Sequence, residues 1–202
     1  MTVEKDAGTT GRRVFRAHDR AVTHWKNGGG LTREIAADAS GVGTEDFVWR
    51  LSLADIARGG PFSSFAGVDR IITVVDGAGI ELTVDGRPHT LAGAYEPFPF
   101  PGDAVTDCRL LSGPVTALNV MTRHTRATAH VRMAPKGFTV VPRTGVTVLV
   151  VALTGTVTVD ESGLRLDRFD AVLFPDRDTA TLRVDGTAAV VTVTTASGSP
   201  GG

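Results

Sequence analysis

Short runs of valine and threonine, separated by glycine, proline and aspartate at intervals of roughly 8–12 residues, dominate this sequence. Valine and threonine number 26 each in 202 residues and favour strands, whereas Gly 24 and Pro 10 favour turns. The only segment with a helical pattern, Ser52–Arg58, is short, so we predict an all-β fold. The predicted strands are Asp46–Ala54, Arg70–Asp76, Gly79–Val84, Val115–Thr122, Val146–Leu153, Thr156–Asp160, Ala180–Val184 and Ala188–Thr195.

The sequence contains a weak internal repeat. Ile71–Gly86 and Leu149–Gly163 each comprise an apolar run, a turn centred on Gly77 or Gly155, and a Thr/Val strand. The repeat predicts two β-units in tandem, with mainly antiparallel sheets because no helical crossover separates the strands. The alternative is that a composition rich in valine and threonine produces the repeat by itself.

Charge and terminal sequences exclude several classes of protein. Lys+Arg 21 against Asp+Glu 22 gives a net charge of -1, so we expect no nucleic acid and no membrane as a partner. The N-terminal MTVEKDAGTTGRR lacks the apolar core of a signal peptide, and no run approaches about 18 apolar residues. We therefore expect a soluble, cytoplasmic protein with frayed, polar ends.

The segment Trp25–Ile35, WKNGGGLTREI, places one of two tryptophans and one of three lysines beside three consecutive glycines. Consecutive glycines let the backbone turn tightly or approach a ligand closely. The segment is neither a P-loop nor a dinucleotide-binding fingerprint, which need GK[ST] after a glycine loop or GxGxxG. A flexible loop without a ligand is an equally weighted alternative.

Strand alternation places three polar residues on one surface. If Leu31–Ala36 and Phe47–Leu53 pair as antiparallel strands, Glu34, Arg50 and Ser52 share a face beside the glycine segment. This polar patch predicts a site for a charged ligand. A solvated outer face with a surface ion pair is the alternative.

Metal, thiol and serine chemistry have little support in the sequence. The five histidines, His18, His24, His89, His124 and His130, show no HxH or HExxH spacing, so we predict no metal and no cofactor. The single cysteine, Cys108, excludes a disulfide framework and is typical of a small buried hydrophobe. No GxSxG elbow is present, and no residue is assigned as catalytic.

Five ordered segments resemble the HutD/Ves family over about residues 20–125. They are WKNGGGLTREI (Trp25–Ile35), WRLSLA (Trp49–Ala54), GPFSSFAGVDR (Gly60–Arg70), the Phe98/Phe100 block and LNVMTR (Leu118–Arg123). The resemblance implies a bicupin, two double-stranded β-helix barrels of the RmlC-like jelly-roll type in one compact chain. The expected parts are a tail at 1–12, an N-terminal barrel with the pocket at 13–124, a C-terminal barrel at 125–196 and a tail at 197–202.

The resemblance also implies a function. It is that of a metal-free protein that binds a small acidic metabolite of histidine utilisation, urocanate or a formylated glutamate, and modulates the pathway. The alternative is a metal-free cupin enzyme, an isomerase, epimerase or lyase acting on a small carboxylate, with a His or Glu beside the pocket. A homodimer is compatible with both functions.

The predicted pocket lies in the N-terminal barrel, where Arg50 or Arg70 would clamp a carboxylate and Glu34 or Asp69 would orient an arginine. Trp49 is assigned to the core. Because the motifs all precede Arg126, the C-terminal barrel is predicted to be a closed packing partner with solvated arginines such as Arg143. The predicted ligand-binding residues are Trp25, Asn27, Gly29, Thr32, Arg50, Ser63, Phe65, Arg70, Asn119 and Met121.

Overall fold

The computed structural model describes residues 4–5, 11–38, 47–93, 95–134 and 136–196. These residues form eighteen strands and one short 3-10 helix, Ala17–Asp19. The strands are β1 (Glu4–Lys5), β2 (Arg13–Phe15), β3 (Val22–His24), β4 (Gly30–Asp38), β5 (Trp49–Ile56), β6 (Gly60–Pro61), β7 (Val68–Asp76), β8 (Ile80–Val84), β9 (Arg87–Leu91), β10 (Phe98–Pro101), β11 (Thr106–Leu110), β12 (Val115–Arg123), β13 (Ala127–Met133), β14 (Gly137–Val140), β15 (Val146–Val159), β16 (Leu164–Leu166), β17 (Ala171–Phe174) and β18 (Ala180–Thr195).

The strand pairs in the described residues are antiparallel, and the all-β prediction is confirmed. A membrane-spanning helix, long and apolar enough to cross a bilayer, is absent from the described part of the chain. The chain divides into two units. The first unit is Ala21–His124, and the second unit combines Met1–Arg20 with Thr125–Gly202.

The first unit contains two sheets that share one apolar core. Its six-stranded sheet has the order β10-β7-β12-β5-β4-β3, and its four-stranded sheet has the order β6-β11-β8-β9. Residues of β8 alternate between buried and half-buried, so Ile80 and Leu82 point inward. They join Ile72 of β7 and Cys108 of β11 in one buried cluster. Trp49 is buried as well, as predicted.

The second unit is built on one eight-stranded sheet. Its main path is β1-β2-β17-β15-β18-β13, with β14 also paired to β18 and β16 to β15. Strands β15 and β18 pair along almost their whole lengths. Residues of these two strands form most of a buried cluster that also includes Leu166 of β16 and Phe174 of β17.

The N-terminal segment belongs to the second unit. Strand β2 pairs with β17, and the fully buried Arg12 donates from Nε to Asp178 Oδ2 at 2.6 Å. The first unit therefore begins at Ala21, whereas the sequence boundary lies at Arg13. Within the expected tail at 1–12, Glu4–Lys5 form β1 and Arg12 is buried. The expected tail at 197–202 lies outside the described residues.

Two local predictions are wrong. Ser52–Arg58 is not helical, because residues up to Ile56 continue β5, which pairs with β4 on one side and β12 on the other. No turn interrupts β15 at Gly155, which instead faces Gly186 of β18. A Cβ on Gly155 would lie 1.7 Å from the carbonyl oxygen of Asp185. Glycine at this position therefore permits close strand approach rather than a hairpin.

Candidate functional site

Strands β5, β12 and β7 of the first unit are neighbours, and their register brings the polar candidates onto one face. Met121 in β12 lies opposite Arg50 in β5 and opposite Arg70 in β7. Two residues along β12 on the same face, Asn119 lies opposite Ser52. Directly paired residues of antiparallel strands project to the same side of a sheet, so these side chains are adjacent.

This face borders a cavity of about 460 Å³, a size typical of small-molecule sites. Nine of the ten predicted ligand-binding residues line it, namely Trp25, Asn27, Thr32, Arg50, Ser63, Phe65, Arg70, Asn119 and Met121. The tenth, Gly29, does not line the cavity. Its backbone N–H donates to Asn27 Oδ1 at 2.9 Å, so it holds the Asn27 side chain in place.

The glycine segment forms a turn against the end of β5. Gly28 has a φ of +64°, a conformation that favours glycine. A Cβ on Gly30 would lie 2.4 Å from the carbonyl oxygen of Asp55, so only glycine fits there. The turn positions Trp25, whose Nε1–H donates to Thr32 Oγ1 at 2.9 Å. The segment is therefore a turn that packs against the end of β5 and is held by these contacts.

Arg70 is the central charged group of the cavity. It is 8% exposed, and its guanidinium carbon lies 5.2, 5.6 and 4.8 Å from the ring centroids of Phe62, Phe65 and Phe100. Its Nη1 donates to the Ser63 carbonyl at 3.4 Å, and its Nε has no hydrogen-bond partner among the described residues. Burial lowers the pKa of Arg70 to about 10, because removal from water disfavours the charged form.

The two predicted orienting residues behave differently. Arg50 Nε donates to Glu34 Oε2 at 2.9 Å, which is the pairing that strand alternation predicts. Asp69 does not orient an arginine. It directly precedes Arg70 in β7 and therefore points to the opposite face of the strand, where its Oδ2 lies 2.8 Å from His124 Nδ1.

Two buried polar atoms of the cavity wall lack hydrogen-bond partners among the described residues. Asn119 is buried, and its Oδ1 has no hydrogen-bond partner among the described residues. Together with Arg70 Nε it leaves an acceptor and a donor unsatisfied in one cavity. Such groups cost free energy unless a ligand or water completes them. Among the described residues, the cavity lining includes Lys26, Arg50 and Arg70 but no Asp or Glu, so this part of the wall is positively charged.

Sequence reasoning missed several lining residues, namely Thr23, His24, Lys26, Ala54, Pro61, Phe62 and Ser64. Phe62 matters most, because its ring packs edge-on against Trp25 at 6.1 Å and also contacts Arg70. Its position inside the motif GPFSSFAGVDR was a usable signal. His24 and Lys26 adjoin Trp25 in the sequence, and that adjacency was the only signal that placed them near the site.

Other candidate chemistry is sparse in the described residues. No three His, Cys, Asp or Glu side chains among them lie close enough to hold a metal ion. Cys108 is buried, and burial, followed by the nearby Asp107 charge, raises the pKa of its thiol to about 11. It therefore remains a protonated thiol at neutral pH.

The second unit has a smaller recess of about 320 Å³. The larger cavity lies in the first unit, as motif density predicts. The prediction that the second unit is closed is too simple, because this recess is open at its surface and Arg143 borders it.

Comparison with known proteins identifies similar sequences. The HutD family model matches residues 17–192. A Pseudomonas putida protein, described as an uncharacterized 21.2 kDa protein in the hutC 3′ region, is 46% identical over 108 residues, which cover 54% of this chain and 56% of that protein. The chain thus spans little more than half the length of that relative. Protein Ves of Citrobacter koseri is 42% identical over 133 residues, covering 65% of this chain and 68% of Ves.

Solved structures extend the similarity to nearly the whole chain. HutD from Pseudomonas fluorescens SBW25, in a formate condition, has a TM-score of 0.80 and 36% identity, covering 93% of this chain and 100% of that chain. A conserved protein from Pseudomonas aeruginosa PAO1 also has a TM-score of 0.80, with 31% identity over 93% of this chain and all of its own. The bacterial pirin YhhW from Escherichia coli, in complex with nickel(II), covers 91% of this chain and 98% of its own, with 12% identity and a TM-score of 0.67. This last likeness concerns the fold alone, which is cupin-like.

Proposed function

The chain belongs to the HutD family, and from that premise we propose that it binds a small carboxylate in the cavity of its first unit. The observation that carries the proposal is Arg70. This buried guanidinium rests on three phenylalanine rings and forms no ion pair with a described residue. A buried cation without a carboxylate is costly, and an anionic ligand removes that cost.

The walls indicate the shape of the ligand. Trp25, Phe62 and Phe65 provide apolar and aromatic surface, while Asn119 and Ser52 provide polar contacts at the base. A carboxylate can accept two parallel hydrogen bonds from a guanidinium, which fixes its orientation. The preferred ligand therefore has a carboxylate at Arg70 and a compact body, planar or aliphatic, between the aromatic side chains.

We propose an acidic metabolite of histidine utilisation, urocanate or a formylated glutamate, as the ligand. The support is family membership and the P. putida relative, which is described by its place in the hutC 3′ region. Binding without turnover would let the protein modulate the pathway according to metabolite level. We also propose that the protein is soluble and cytoplasmic. We propose further that it is a bicupin, with one double-stranded β-helix barrel in each unit.

An enzymatic function is the second candidate. Among the described residues that line the cavity, His24 alone carries an imidazole that can serve as an acid or base. A metal-free isomerase, epimerase or lyase acting on the bound carboxylate would use it. Incubation of ligand with the protein, followed by NMR of the small molecule, separates the two functions, because only an enzyme changes the ligand.

A thermal-shift screen tests the binding proposal. Formate, urocanate, formylglutamate and small dicarboxylates are compared with the methyl esters or amides of the same acids. An acid at 100 times its Kd stabilises the protein by about 2.7 kcal/mol, or about 5–10 °C in Tm for a chain of this size. Failure of every acid, or equal shifts from the uncharged esters and amides, contradicts the proposal.

A further inference from the structure

The recess of the second unit lies on three neighbouring strands, β13, β18 and β15. Thr192 and Thr194 of β18 lie opposite Val148 and Val146 of β15, and Val190 lies opposite Arg132 of β13. These paired side chains share one face. The face combines an apolar floor of valines with hydroxyl groups and a guanidinium at its side.

Two arginines border the recess. Arg132 stacks over Phe138, with the guanidinium carbon 5.5 Å from the ring centroid, and Arg143 follows β14. Neither side chain pairs with a carboxylate of the described residues. Other arginines of this unit do so, as Arg183 with Asp160 and Arg165 with Asp167 show. No Asp or Glu of the described residues lines the recess, so the described part of its rim is positively charged.

The hydroxyl groups of the recess are also available to form hydrogen bonds with a ligand. Thr139, Thr192 and Thr194 line it, and their side chains form no hydrogen bond with any described residue. A hydroxyl can donate to an anion, and a guanidinium can donate two parallel hydrogen bonds to a carboxylate. The stacking of Arg132 on Phe138 orients its planar group in advance of binding.

We propose that this recess is a second binding site, for a short aliphatic carboxylate. The carboxylate would lie between Arg132 and Arg143 and accept from a threonine hydroxyl. The alkyl body would cover Val146, Val148 and Val190. A volume of about 320 Å³ accommodates a small molecule of this kind. An inorganic anion would make no use of the apolar floor, and a neutral alkyl compound would leave the arginines unpaired.

NMR with valine and methionine methyl labels tests the site in the full chain, with isovalerate as the probe and isovaleramide as its neutral match. The methyl groups of Val146, Val148 and Val190 report this recess. No valine among the described residues lines the cavity near Arg70, where Met121 is the reporter, so binding at the two sites is read separately. We expect saturable shifts of the three valines with isovalerate and not with isovaleramide.

Variants test the role of the arginines. Arg132→Gln and Arg143→Gln together should weaken isovalerate binding by about tenfold or more, through loss of charge-assisted hydrogen bonds. Arg183→Gln is the matched control, an arginine of the same unit outside the recess, and should leave binding unchanged. The proposal is overturned if the three valines do not shift saturably, if isovaleramide binds equally well, or if inorganic phosphate binds with equal affinity. Unchanged binding in the double variant also overturns it.

Discussion

Arg70 is a buried cation whose contacts are aromatic rings and one backbone carbonyl. Contact with an aromatic face stabilises a guanidinium by about 0.5–2 kcal/mol, which offsets part of the cost of burial. The remaining cost keeps the pKa of Arg70 low, at about 10. We therefore expect Arg70 to contribute little to the stability of the ligand-free protein and much to the affinity for the proposed anion.

Replacing Arg70 by methionine should separate binding from stability. We expect Arg70→Met to lower carboxylate affinity by at least about thirtyfold, equivalent to ~2 kcal/mol. The free energy of unfolding should stay the same or rise by up to about 2 kcal/mol, because an apolar side chain of similar length replaces a buried charge. Isothermal titration and urea denaturation measure the two quantities. Arg109→Met, at an exposed arginine paired with Glu81, is the control and should preserve affinity. A large loss of stability in Arg70→Met would show a structural role instead.

The lowered pKa of Arg70 predicts a pH dependence of opposite sign for binding and for stability. Carboxylate affinity should be constant from pH 8 to 9 and fall as pH rises through about 10, because the neutral guanidine does not hold the anion. In the unfolded chain Arg70 keeps its proton in this pH range, so the unfolded state binds more protons than the folded state. The contribution of Arg70 to the free energy of unfolding should therefore increase as pH rises through about 10. Titrations and denaturation of wild type, each compared with Arg70→Met, isolate both effects. Affinity that stays constant to pH 11 would contradict the assignment.

Strand β12 organises the site at the scale of elements. It lies between β5 and β7, so its inward residues Asn119 and Met121 occupy the centre of the floor. Arg50 and Arg70 flank Met121 from the two neighbouring strands. The positions of the two arginines thus follow from strand register, which the sheet holds on both sides of β12.

The part of the site that was predictable from sequence is the part governed by alternation within a strand pair. The period of two along β4 and β5 was sufficient to bring Glu34 and Arg50 together. The partner of Asp69 was not predictable, because His124 lies 55 positions along the chain at the end of the neighbouring strand. Phe62 acquires its role from contacts with Trp25 and Arg70, which depend on how a loop folds over the sheet.

The fold shows the same limit. Local sequence pattern identified strands. A glycine such as Gly155, however, gives the same pattern whether it ends a strand or allows two strands to approach closely. Its positive φ of 63° and the nearness of the Asp185 carbonyl arise from the partner strand β18. Likewise, Ser52–Arg58 has a weak helical pattern that pairing with β4 and β12 overrides.

Substitution of Gly155 tests this interpretation of the β15–β18 contact. Gly155→Ala should lower the free energy of unfolding by about 3 kcal/mol or more, because the added methyl group collides with the backbone of Asp185. Gly163→Ala is the control, since Gly163 has a similar φ of 68° but nothing within 4 Å of the added group. Its cost should be only the backbone strain, about 1–2 kcal/mol. Equal losses in urea denaturation would mean that the close approach has no energetic consequence.

At the scale of the whole molecule, one unit is a continuous segment of the chain, whereas the other combines two separate segments. Residues up to Arg20 belong with the part of the chain that begins at Thr125. Strand β2 extends the sheet of the second unit at β17, and Val14 contributes to its buried cluster. The first unit is therefore a continuous segment, and the second is completed by the N-terminal segment.

The Arg12–Asp178 pair should control how firmly that segment is held. Asp178→Asn removes the carboxylate paired with the buried Arg12 guanidinium and should lower the free energy of unfolding by about 3 kcal/mol. Asp160→Asn is the matched control, because Asp160 pairs with the exposed Arg183 and should cost only about 0.5 kcal/mol. Hydrogen exchange locates the effect: amides of β2 and β17 should exchange faster in Asp178→Asn, while those of β5 and β12 keep their wild-type protection. Faster exchange spread equally over both units, or equal costs for the two substitutions, would show that this pair does not secure the N-terminal segment to the second unit.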